Sequence, residues 1–174
     1  MIWPRGDGSF SAGRRSARLP GEHGKATARK IPGLEGAVVD RSPIEIAALE
    51  PGDTRRVVVN VAGVAALFVA KLHKLGERLE QPNRLAAKDA GDVYRLFDLV
   101  DAEEMIALLR ALLADDRSAS ATNTALGYAR RLFATPASPG AQLAIQALRG
   151  VIAEDTVAAA IISYTRDVLE RVTR

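Results

Sequence analysis

The sequence predicts an α+β fold that is mainly helical, with a small β-sheet followed by a helical domain. Three observations carry this expectation. Of the 174 residues 48% are apolar but only 5% are aromatic, so the apolar share is largely alanine and leucine, which favours helix and argues against an all-β sandwich. From Gly63 onward the apolar residues recur at intervals of three and four, the period of one helix face. Before Gly63 the apolar runs are short, β-branched and separated by turn residues, which is the pattern of strands. The length suits one domain with a real core.

Residues 1–33 mix Gly, Ser, Arg and Pro with little periodicity and read as a basic, Gly/Arg-rich flexible segment. Three β-like runs fill residues 34–62, at 36–40, 44–49 and 55–61, the last after the Pro51-Gly52-Asp53 turn. Three short strands cannot stand alone, so the sheet should pack against the downstream helices. Residues 63–174 form the helical domain. Phe68, Leu72, Leu75 and Leu79 line one face of a helix over 64–80, which Gln81-Pro82-Asn83 breaks. Val93, Leu96, Phe97 and Val100 do the same over 85–100. Asp101 with Glu104 fits a capping box opening a helix over 102–114. Further helices are expected over 119–133, 139–149 and 155–172, the second with Ser138 as N-cap and Pro139 at its first position.

Composition excludes several function classes. No run of about 18 apolar residues exists, so no membrane span or membrane partner is expected. The N-terminus lacks the apolar stretch of a secretory signal, which makes a cytoplasmic location the default. With no cysteine in the sequence, disulfides, thiol catalysis and cysteine-ligated zinc are all absent. His23 and His73 have no ligand spacing, so no protein-held metal site is expected. Neither a P-loop nor a Gly-x-Ser-x-Gly elbow is present. The net charge of +3 is uneven: residues 1–30 hold seven Lys/Arg against Asp7 and Glu22, and the remaining residues are slightly acidic. Such an arm is either a nucleic-acid contact or a solvated segment.

The chemistry concentrates in residues 69–97, VAKLHKLGERLEQPNRLAAKDAGDVYRLF. At about 100° per residue, Lys74 and Arg78 fall within about 60° of Lys71, so the three cations form one stripe. That stripe borders the apolar face rather than opposing it, and long basic side chains there can line a cleft while their stems pack. On the next helix Asp89 falls inside the apolar stripe, Asp92 on its border and Lys88 close by. A carboxylate on the buried side of a first turn needs a partner. The helix N-terminus supplies partial positive charge, and Arg78 is the candidate for a bidentate pair. Two readings stand side by side: a structural clamp between helices, or half of a phosphate-handling site.

The pattern VAKLHKLGER followed by KDAGDVYRL resembles the AbiEii/AbiGii-type nucleotidyltransferase toxins, in which a Lys lies seven residues before an Arg on one helix. A basic residue and an Asp then open a second helix that carries another Asp three residues later. The preceding GLEGAVVD and the strand reaching VAG fit as well, so the likeness spans roughly residues 12–100. It implies a remnant of a nucleotidyltransferase sheet ahead of a C-terminal helical domain. It also implies phosphate-binding positions at Lys71, Arg78 and Lys88, to which the cationic stripe adds Lys74, with Asp89 and Asp92 as catalytic positions. In the intact family a Gly-Ser pair and carboxylates in Asp-x-Asp spacing bind NTP and two Mg²⁺, and NMP passes to an acceptor such as an RNA 3′ hydroxyl.

This chain carries no Asp-x-Asp, and Gly8-Ser9 is followed by GRRSARLPGEHG without acids at the required spacing. The resemblance therefore implies the C-terminal half of such a protein, inactive alone, with no tightly bound Mg²⁺ or NTP. The implied partners are a nucleotide or RNA, a cognate antitoxin, or the missing N-terminal half. A module of another class, binding nucleic acid or an antitoxin without catalysis, is the alternative.

Overall fold

Among the described residues the fold is mainly helical with one two-stranded antiparallel sheet. The computed structural model describes residues 31–79 and 87–172. The basic segment before residue 31, with His23 and Gly8-Ser9, lies outside the described residues, as does the Gln81-Pro82-Asn83 break. The sheet and the helices belong to one compact unit, Gly33–Arg174.

The first run expected as a strand is instead a 3₁₀ turn, Glu35–Val38. Its amides bond backwards within the turn, Val39 N to Gly36 O at 3.0 Å and Asp40 N to Gly36 O at 2.9 Å, so they are not available to a neighbouring strand. Two contacts explain the compaction. Gly36 lies against the start of the first long helix, where a Cβ would stand 3.2 Å from Ala66 Cα. Asp40 Oδ2 accepts from Ala66 N at 2.9 Å, satisfying a first-turn donor that no nearer residue caps.

Strands β1 (Arg41–Ala47) and β2 (Arg56–Ala62) pair from Arg41↔Ala62 to Ala47↔Arg56. Their connection uses the predicted turn: Asp53 N bonds Glu50 O at 3.2 Å with Gly52 at φ +88°, a conformation that suits glycine. The expectation that the sheet packs against the helices fails. All of β1 is exposed, and β2 is exposed except for Val59 and Ala62.

The helices follow the apolar periodicity closely: α1 (Val64–Gly76), α2 (Ala87–Leu99), α3 (Ala102–Ala114), α4 (Ala119–Phe133), α5 (Pro139–Leu148) and α6 (Glu154–Arg171). α1 ends earlier than expected. Arg78 N bonds Leu75 O and Leu79 N bonds Gly76 O, so the chain tightens into 3₁₀-type turns after Gly76. Gly76 itself lies under the Tyr128 ring with no room for a Cβ. Asp101 caps α3 through Glu104 N at 2.8 Å. Ser138 occupies the N-cap of α5 with Pro139 behind it, but its hydroxyl turns back to accept from Thr135 N at 3.1 Å.

Among the described residues the core is shared by α1 to α6. Phe68, Leu72 and Leu75 of α1 and Val93 of α2 are fully buried, as are Leu109 of α3, Phe133 of α4, Ala144 of α5 and Ile161 of α6. Leu79, Phe97 and Val100, expected on the same faces, are partly buried against it. Among the described residues no helix is long and apolar enough to cross a membrane.

Candidate functional site

The α1–α2 face brings together most of the residues singled out by sequence. Lys71 and Lys74 stand one turn apart near the end of α1, and Asp89 and Asp92 one turn apart at the start of α2. Lys71 Nζ bridges the two carboxylates, 3.1 Å from Asp89 Oδ1 and 2.7 Å from Asp92 Oδ2. Lys74 Nζ donates to the same Asp89 Oδ1 at 2.8 Å. Arg78 Nη1 reaches Asp89 Oδ2 at 3.4 Å. Arg95, one turn further along α2, pairs with Asp92 Oδ1 at 2.9 Å.

Asp89 is the buried member the pattern called for, 3% exposed, and Asp92 lies on the border as expected. The expected bidentate Asp89–Arg78 pair is not what forms. Arg78 falls in the turn after α1 rather than on the helix, one step off the stripe, and it makes the longest of the three Asp89 contacts. The lysines are the principal partners. Lys88 is exposed and belongs to none of these ion pairs. Arg95 was not singled out by sequence, although its i,i+3 spacing from Asp92 is a known pairing distance on a helix.

Burial is the largest influence on both carboxyls and acts to raise their pKa values. For Asp89 the hydrogen bonds and charges of Lys74 and Lys71 outweigh it, and for Asp92 those of Lys71 and Arg95 do. Both groups end below the ordinary carboxylate value. On Lys71 desolvation is again the largest influence and lowers the pKa, but the two aspartates reverse it and hold the ammonium above its ordinary value. Asp89, Asp92 and Lys71 are thus held in their charged forms through the neutral range.

Beside it lies a shallow pocket of about 230 Å³ lined by Leu67, Lys71, Asp92, Arg95 and Leu96. This is below the roughly 300–1,000 Å³ of sites that enclose a drug-sized ligand. A larger open groove of about 750 Å³ runs along α6 past Ser163, Tyr164 and Asp167 and contains none of the cluster residues.

The four oxygens of Asp89 and Asp92 are all engaged by cationic groups. Among the described residues no three His, Asp or Glu side chains assemble into a set that could hold a metal ion. A Mg²⁺ ion, which takes free carboxylate oxygens, does not fit this arrangement. Lys71, Lys74, Arg78 and Arg95 are four cations around the two carboxylates, and the α2 N-terminus adds partial positive charge. Lys74 is 46% exposed at its side chain.

His73, expected to lie away from the cationic stripe, is buried, with Nε2–H donating to Ala121 O at 2.8 Å and its ring edge-on to Tyr128 at 5.6 Å. It joins α1 to α4 and takes no part in the cluster. In comparisons with known proteins, no family model, no curated protein and no solved structure matches this chain.

Proposed function

We propose that this chain is the helical C-terminal part of a nucleotidyltransferase-like protein of the AbiEii type, with no transfer activity of its own. The observation that carries the reading is the convergence of Lys71, Lys74 and Arg78 on Asp89 at the opening of α2. Lys71, Arg78 and Asp89 stand at positions that match the resembled family's Lys, Arg and first helix-opening Asp. Lys71 and Asp89 hold the two helices together, while Lys74 and Lys88 present the excess positive charge to solvent.

Two measurements test this. Incubation of the chain with each labelled NTP, Mg²⁺ and total tRNA should give no incorporation, because the Asp-x-Asp carboxylates of the family are absent from the sequence. EDTA-sensitive transfer above background would overturn the reading. Titration with ATP should give chemical-shift changes on residues 71–92 with a millimolar Kd, about 4 kcal/mol of binding free energy, weakened by salt. Lys74→Ala should reduce these changes. Shifts confined to residues 1–30 would assign phosphate binding to the basic segment instead.

A second reading, a non-catalytic module that binds nucleic acid or a cognate antitoxin, is favoured by the uncovered β1–β2 sheet. An adjacent gene for a small helix-turn-helix protein would support it. An upstream frame encoding Gly-Ser and Asp-x-Asp would support the first reading.

A further inference from the structure

The backbone of the β1–β2 hairpin distinguishes its two edges. Ala48 N donates to Arg55 O at 3.0 Å and Gly63 N to Asp40 O at 2.9 Å. Antiparallel pairs alternate between hydrogen-bonded and non-hydrogen-bonded, so Ile46↔Val57, Ile44↔Val59 and Ser42↔Val61 are the bonded pairs. The backbone groups of Arg56, Val58, Asn60 and Ala62 therefore point away from β1. On the opposite edge Pro43 occupies an outward position and has no N–H to offer, which closes that edge to further pairing.

The two faces differ as sharply. Ile44, Ile46, Val57, Val59 and Val61 share one face, and of these the four other than Val59 are between 44% and 55% exposed. The other face carries the Glu45–Arg56 ion pair at 2.6 Å beside the exposed Val58. A two-stranded sheet with a bare apolar face is marginal in water and is stabilised by more strands.

We propose that β2 pairs with β2 of a second copy of this chain, antiparallel about a two-fold axis at Val59. In this register all seven β2 residues find partners: Val57 faces Val61, Val58 faces Asn60, and Arg56 faces Ala62. Outward-pointing groups meet outward-pointing groups. No like charges are opposed, and β-branched residues face one another, which is the favourable cross-strand pairing.

Topology supports the same geometry. The helical body joins the hairpin at Ala62 and the turn lies beyond Arg56, so antiparallel pairing puts the two bodies at opposite ends of the sheet, roughly 20 Å of strand apart. The resulting order β1–β2–β2–β1 ends in Pro43 on both sides, so the assembly stops at two chains rather than running on. A seven-residue edge falls short of the roughly 800 Å² per partner of a standard interface, which makes the dimer concentration-dependent.

Sedimentation velocity on the full chain should show the mass moving from one chain to two between low and high micromolar concentration. Asn60→Pro places on β2 the block that Pro43 provides on β1. It should keep the chain monomeric over that range with unchanged helical circular dichroism. Because the sequence has no cysteine, Val59→Cys supplies a lone thiol at the axis, in a non-hydrogen-bonded pair with Cα atoms about 4.5 Å apart, within disulfide reach. Diamide should link this variant into dimers. Val57→Cys, roughly 14 Å from its counterpart, should stay monomeric. A chain that is monomeric throughout would overturn the proposal, as would a dimer that survives Asn60→Pro. Equal linking of both cysteine variants would overturn it too, since that is the signature of two hairpins stacked face on face.

Discussion

Phe68→Ala is expected to lower the stability of the helical body by about 3–5 kcal/mol, the range for truncating a fully buried aromatic side chain. Phe68 is 1% exposed and meets the Phe97 ring at 5.7 Å and 58°. Phe97 in turn stacks on Tyr164 at 4.0 Å and 16°, and the Tyr164 hydroxyl bonds the Val100 and Asp101 carbonyls at 3.0 Å each. One ladder of rings thus joins α1, α2 and α6, and its innermost member has the least room to relax after truncation. Urea unfolding should show the loss as a lower midpoint with an unchanged slope, since the surface exposed on unfolding is nearly the same. A loss below about 1 kcal/mol would mean that the site collapses around the missing ring, which the close packing of α1 and α2 argues against.

How far the sequence specified this fold differs between its halves, for a physical reason. In the helical half each element is fixed locally: a three- and four-residue apolar period, a capping aspartate at residue 101, a Pro at the first position of α5. The limits of α3 and α4 can be read directly from these. The N-terminal part depends on contacts the local pattern does not encode. Val38 and Val39 have strand propensity, yet Gly36 packs on Ala66 and Asp40 caps α1, and those two contacts bend the run into a turn. β-propensity expresses a fit to neighbouring strands more than a backbone preference, and the described residues provide no third strand here.

The candidate site is legible to a similar degree. Helical phase alone places Asp89 inside and Lys71 beside it. It finds Arg78 as one partner of Asp89 but not Lys71 and Lys74, which make the shorter contacts; α1 ends at Gly76, so Arg78 approaches from the turn beyond it. Gly76 is the available signal, as a glycine near the end of an apolar period is a common helix stop. The leucine spacing, which continues to Leu79, masks it.

The ion-pair cluster yields the second large effect. Asp89→Ala should cost on the order of 2–3 kcal/mol, since it removes the buried carboxylate on which Lys71, Lys74 and Arg78 converge. The figure sits below that for a fully buried pair because those cations retain a quarter to nearly half of their side-chain exposure. Asp92→Ala should cost less than about 1 kcal/mol, because Asp92 is partly solvated and Lys71 keeps Asp89. A double-mutant cycle of Lys74→Ala with Asp89→Ala isolates the pair from the packing of the lysine stem.

The pH dependence fixes the sign independently. Asp89 has a folded pKa below its unfolded value of about 3.9, so its contribution is present above that pH and is lost as pH falls through the folded pKa. Lys71 has a raised folded pKa, so its share is present below about pH 10 and is lost only as pH rises through the folded value. The difference between wild type and Asp89→Ala should therefore be flat from about pH 5 to 9 and shrink at both ends. A small, pH-independent loss equal to that of Asp92→Ala would show that the buried carboxylate carries no such coupling, and that α1 and α2 are held together by their apolar faces alone.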